Sequence, residues 1–144
     1  MSKALPNAPS KILARILVAD DDRLIRATLE TGLTLNGFQV SLARTGSEAI
    51  AAASQQQFDA VISDIYMPDG NGLEVARSLR ATHPVLPIIL MTAQGELDVT
   101  VQALAEGAND IIAKPFEIAA LVTTLQKLLN AHREKSQAQD TQAE

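Results

Sequence analysis

Apolar residues along the chain fall into two alternating patterns. Short runs rich in Ile, Val and Leu occur as "ILARILVA" (12–19), "FQVSLA" (38–43), "FDAVIS" (58–63), "LPIILM" (86–91) and "DIIA" (110–113). Three of them lack strict alternation, as strands buried on both faces do. Between the runs, apolar positions recur at helical spacing. In "DRLIRATLETGLTLNG", Ile25, Leu29 and Leu33 stand four apart, and Asn36-Gly37 supplies a helix stop. "TGSEAIAAAS" opens with Thr45 three before Glu48, a capping-box pattern. "NGLEVARSLRATH" and "ELDVTVQALAEG" follow, the second closing on Gly107. In "EIAALVTTLQKLLNAHREK", Ile118, Leu121, Val122, Leu125, Leu128 and Leu129 form one apolar stripe.

Strands alternating with helices predict an α/β fold, a parallel sheet covered on both faces. Right-handed crossovers leave few ways to wind it. The prolines and sparse apolar content of residues 1–11 predict a loose arm, and the polar segment 133–144 a tail or the start of a linker. The domain proper is expected over residues 12–132.

Composition narrows the class. With three Phe, one Tyr and no Trp, the core has to be built from Ala, Val, Ile and Leu. The absence of cysteine removes disulfides and thiolate metal sites and suits a cytoplasmic protein. A net charge of -5 argues against direct nucleic-acid binding, which needs a basic footprint. No apolar stretch is long enough to span a bilayer.

In a doubly wound sheet the ligand lies beyond the carboxyl ends of the strands. Asp20, Asp21 and Asp22 follow the first run, Asp64 the third, Thr92 the fourth and Lys114 the fifth. The second run ends in Ala43-Arg44 and offers no side chain of this kind. Each residue alone has an ordinary use, since an aspartate between strand and helix is most often an N-cap. Carboxylates converging on one edge repel each other, however, unless a proton or a cation sits among them. Oxygen donors without His or Cys favour a hard cation, with Mg²⁺ the natural candidate. Thr92 and Lys114 opposite would complete a cradle for a phosphoryl group.

"ILVADDD", "VISDIYMPDGNGLE", "IILMTAQ" and "IIAKPF" resemble, in order and spacing, the receiver domains of bacterial two-component response regulators. The resemblance covers roughly residues 12 to 130. It implies a flavodoxin-like (βα)5 fold with a five-stranded parallel sheet in the order 2-1-3-4-5. It implies that Asp64 accepts a phosphoryl group from a sensor histidine kinase or phosphotransfer protein. Asp21 and Asp64 would then bind Mg²⁺ (or Mn²⁺) directly, Asp20 through water, and Tyr66 through its backbone carbonyl. Thr92 and Lys114 would bind phosphoryl oxygens, and a cis Lys114-Pro115 bond is usual in the family. Asp22 is best read as a helix cap.

Switching is expected to run from Thr92 through Gly95 into the segment 95–106, and on to the face of the fourth helix, fifth strand and fifth helix. The family often has an aromatic residue three before the lysine, whereas here Ile111 stands there. That departure leaves the phosphorylation chemistry intact and removes the aromatic swing. Two other readings compete: a receiver-like binding module that takes no phosphate, and an aspartyl-phosphate phosphatase. The second usually needs another Asp two residues after the nucleophile, where Tyr66 stands, and a cap domain. His83 and His132 read as surface residues.

Overall fold

The computed structural model describes residues 12–93 and 97–143. The expected N-terminal arm and Gly95 lie outside these residues. The strands are β1 (Arg15–Ala19), β2 (Gln39–Ala43), β3 (Ala60–Asp64), β4 (Ile88–Ala93) and β5 (Asp110–Lys114). The helices are α1 (Arg23–Leu35), α2 (Gly46–Gln55), α3 (Gly72–Thr82), α4 (Leu97–Ala105) and α5 (Ile118–Ala143). All four strand pairings are parallel, in the order β2-β1-β3-β4-β5. This is the doubly wound, flavodoxin-like (βα)5 architecture.

The two side-chain directions of each strand feed two cores. Leu17 and Ala19 of β1 join Val61, Ile88 and Leu90 beneath α2, α3 and α4. Ile16 and Val18 join Ile62, Ile89 and Met91 beneath α1 and α5. Every residue of β3 is buried, so this central strand cannot show the alternation of a half-wet one. Each fully buried Leu or Ile stabilises the fold by roughly 1.5–3 kcal/mol relative to exposure.

Local signals place the helix ends. The Asp22 carboxylate caps α1, accepting the N–H groups of Leu24 and Ile25 at 2.8 and 3.2 Å. Thr45 caps α2 through the Glu48 N–H at 3.0 Å, and the Glu48 carboxylate accepts the Arg44 N–H at 2.8 Å. Asn71 and Glu74 form a reciprocal capping box on α3. Gly37, with φ of 93°, follows the Asn36 cap of α1. α5 runs on through Ala143, beyond the last residues of the apolar stripe. Among the described residues, no helix is long and apolar enough to cross a membrane.

One side chain stitches three segments together at the edge opposite the carboxyl ends. Arg80 Nε and Nη2 donate to the Gly107 carbonyl at 3.1 and 2.7 Å. Its Nη1 reaches the His83 and Pro84 carbonyls, both at 3.1 Å, and Nη2 reaches Asn109 Oδ1 at 2.9 Å. His83 and His132 lie half-buried beside this edge rather than on the open surface, far from the acidic cluster in the fold.

Candidate functional site: an acidic pocket at the carboxyl edge

β1 and β3 are neighbours whose helices leave to opposite faces, so a crevice opens where their carboxyl ends diverge. Asp20 stands immediately after β1 and is fully buried, while Asp64 closes β3 with 7% of its surface exposed. Asp21 is exposed beside them. One carboxylate oxygen from each of Asp20, Asp21 and Asp64 lies within 4.8 Å of the others. Asp22 is turned away into its cap, as its position before α1 predicts.

Lys114, the last residue of β5, reaches across to the acids. Its Nζ donates to Asp20 Oδ2 at 3.0 Å and stands 3.2 Å from Asp64 Oδ1. Thr92, near the end of β4, is 3% exposed. The Lys114-Pro115 peptide is cis, as the family resemblance implies. Tyr66 follows β3 with its side chain 55% exposed. Ile111 is half-buried against the core under α2, α3 and α4. The sequence-predicted residues Asp20, Asp21, Asp64 and Lys114 thus meet at one point.

Charge at this point is unbalanced, with three carboxylates facing one ammonium. Burial pushes the Asp64 carboxyl above its ordinary range, and the Asp20 charge pushes the same way. Lys114 offsets only part of this. Burial alone would make Lys114 less basic. Its hydrogen bond to Asp20 and the charges of Asp64 and Asp20 outweigh that and hold its pKa above the usual lysine value. Clustered hard oxygen donors carrying excess negative charge fit a small divalent cation.

The backbone after Asp64 is tightly folded. Asp69 and Gly70 take positive φ values of 55° and 99°. Gly72 N–H donates to the Ile65 carbonyl at 2.7 Å. A β-carbon on Gly72 would collide with the Asp64 carbonyl and approach Ile65 Cα to 2.8 Å. Gly72→Ala is therefore expected to lower stability by about 2 kcal/mol through overpacking against backbone. A urea unfolding curve checks this, and an unchanged midpoint would mean the loop shifts freely.

Sequence reading missed three contributors. β2 supplies no side chain, but its Ala43 carbonyl accepts the Asp20 N–H at 3.1 Å. Arg26 Nη1 donates to the Asp20 carbonyl at 2.9 Å. A cavity of ≈ 610 Å³ opens beside Asp64 and Lys114, walled by Leu24, Ile25, Leu29, Phe116 and Ile118. No local motif signals any of these contacts, which join residues on separate elements or across a corner.

The fold and site together define an α/β module with a cation-ready acidic pocket at the topological switch point of its sheet. A sequence profile of the response regulator receiver domain matches residues 16–126. The chain is 43% identical over 115 residues to the response regulator MprA of Mycolicibacterium vanbaalenii, spanning 80% of this chain and 50% of that protein. It superposes on the chemotaxis response regulator CheY4 of Vibrio cholerae with a TM-score of 0.75 and 32% identity. That match covers 80% of this chain and 98% of CheY4. For NtrX from Brucella abortus the TM-score is 0.84 at 28% identity, over 89% of this chain and 29% of that one. The chain belongs to the response regulator receiver domain family of two-component systems. It spans about half the length of the curated relatives it matches.

Proposed function

We propose that Asp64 is the phospho-acceptor of this receiver and that its modification switches the α4 side of the domain. The observation that carries the reading is the convergence of Asp20, Asp21, Asp64 and Lys114 at one sheet edge. An Asp64 carboxylate oxygen attacks the phosphorus of a donor phosphohistidine. The P–N bond breaks, the imidazole leaves with its electron pair and takes up a proton, and an acyl phosphate forms on Asp64. Lys114 exchanges its Asp64 contact for a phosphoryl oxygen while keeping Asp20. The Thr92 hydroxyl donates to another phosphoryl oxygen.

Asp21, Asp64 and the Tyr66 carbonyl would hold Mg²⁺ (or Mn²⁺), with Asp20 acting through water, and the bound cation would neutralise charge gathering on the phosphoryl oxygens. The partner is a sensor histidine kinase or phosphotransfer protein in the cytoplasm. Asp64 and the groove beside it together offer such a protein both a nucleophile and a surface to rest on. The receiver unit is residues 12–132.

Phosphorylation adds about two negative charges and several acceptor oxygens beside Thr92. Movement of Thr92 toward them pulls the segment that begins α4. With Ile at 111, the signal travels through that segment and α4 without a swinging ring. Intact mass after incubation with acetyl phosphate tests the reading. A phosphate-sized increase that needs both Mg²⁺ and Asp64 is expected, and Asp64→Asn removes it. A folded, Mg²⁺-bound protein that yields neither this adduct nor a beryllofluoride complex would overturn the reading.

A further inference from the structure

We infer that Arg26 is a positioning residue for the cation site, pinning the β1–α1 corner that carries Asp21. The inference rests on reading Asp20, Asp21 and Asp64 as the holders of a magnesium ion. Every polar group of Asp20 is engaged. Its N–H donates to the Ala43 carbonyl at 3.1 Å, and its carbonyl accepts Arg26 Nη1 at 2.9 Å. Oδ1 accepts the Asp22 N–H at 2.9 Å, and Oδ2 accepts Lys114 Nζ at 3.0 Å.

Asp21 is placed differently. It is exposed, and its carboxylate has no partner among the described residues. Its position is therefore set by the backbone on either side of it. On one side that backbone is the immobilised Asp20. On the other it is the cap of α1, where the Asp22 carbonyl accepts the Arg26 N–H at 3.0 Å. Arg26 bonds both sides, through its main chain to Asp22 and through its guanidinium to Asp20. A charge-assisted bond to the carbonyl of a fully buried residue is among the stronger contacts available to such a corner.

Arg26 also has an opposing effect. A guanidinium near the acids repels an incoming cation, so removing it relieves repulsion while loosening the corner. Ion size separates the two effects. Mg²⁺ demands a compact, near-octahedral oxygen set, whereas Ca²⁺ accepts irregular and looser ones. A slackened corner therefore penalises Mg²⁺ selectively, while lost repulsion favours both ions alike.

The test is titration of the full chain with Mg²⁺ and with Ca²⁺, followed by the fluorescence of Tyr66, the single tyrosine in a chain without tryptophan. Arg26→Lys keeps the charge and loses the fork; Arg26→Gln loses both. Both variants are expected to weaken Mg²⁺ binding about tenfold, as loss of supporting contacts around a metal site does. Ca²⁺ binding should change by less than about twofold. Tighter binding of both ions by Arg26→Gln would overturn the inference in favour of a purely repulsive charge. Unchanged affinities with a lowered urea midpoint would overturn it in favour of a purely structural bond. If Asp21→Asn and Asp64→Asn leave Mg²⁺ affinity unaltered in the parent chain, the cation reading fails and the inference with it, a result distinct from either of the other two.

Discussion

Lys114→Met lowers the stability of the metal-free protein by about 3 kcal/mol at neutral pH, and the loss shrinks as the pH falls. Lys114 Nζ serves two acids at once, Asp20 at 3.0 Å and Asp64 at 3.2 Å. Asp20 is fully buried, so removing its cation leaves a charge that water cannot reach. Breaking a buried pair from one side costs about 3–5 kcal/mol, and the low end applies because the Lys114 side chain is 26% exposed.

The pH dependence has a definite sign. The Asp64 carboxyl already titrates above its ordinary value because of burial and the Asp20 charge, and loss of Lys114 removes the larger part of what holds it down, leaving only the Ile65 backbone hydrogen bond. A carboxyl with a raised folded pKa binds its proton more tightly in the native state. Stability of the variant therefore rises as the pH falls through that raised value toward the unfolded value of 3.8. In the parent protein Lys114 shows the converse: its contribution is complete below 10.5 and is lost as the pH rises through its elevated folded pKa. Urea unfolding at neutral and mildly acidic pH measures the gap. Mg²⁺ should bind the variant more tightly, since no ammonium competes for the acids, so at one fixed Mg²⁺ concentration it stabilises the variant more than the parent and narrows the gap. A gap independent of pH and of Mg²⁺ would mean that Lys114 acts by packing alone.

That dual engagement was only half legible in the sequence. Period-two and unbroken apolar runs marked every strand, and capping residues marked the starts of α1 and α2. Strand ends then nominated Asp64, Thr92 and Lys114, because a parallel sheet sends all its carboxyl ends to one edge. Which partner each chooses is a matter of tertiary distance. Asp20 and Lys114 are 94 positions apart, and nothing local tells a lysine to bridge two acids rather than point to water. The Arg80 stitch was invisible for the same reason, since its carbonyl partners carry no side-chain identity. β2 shows the limit most plainly. Its end residues looked inert because the contribution comes from a backbone oxygen, which every residue possesses.

The tail shows a different limit. Residues 133–143 lack the apolar stripe by which a helix is recognised, yet α5 continues through them. Once nucleated by its packed first half, a helix propagates at little cost through Gln, Ala, Glu and Lys, all good helix formers. Periodicity reports an apolar stripe, so a helical stretch whose sequence carries none is silent to it.

Leu24→Gln is expected to slow phosphoryl transfer from a histidine kinase able to label Asp64 by about thirtyfold, while leaving labelling by acetyl phosphate unchanged. Leu24 is 74% exposed in the first turn of α1, at the lip of the groove beside Asp64. Its replacement there should move stability by no more than about 0.5 kcal/mol. On the function proposed above, an apolar side chain so exposed beside the acceptor carboxylate would serve as a docking contact for a protein donor, which a small acyl phosphate does not need. Loss of one central apolar contact costs about 2 kcal/mol, or about thirtyfold. The substitution is neutral, so it leaves the electrostatics of the three carboxylates as they were. Parallel time courses with the two donors separate docking from chemistry. Equal slowing with both would place Leu24 in the reaction itself, and no slowing with either would move the donor's footprint off this groove.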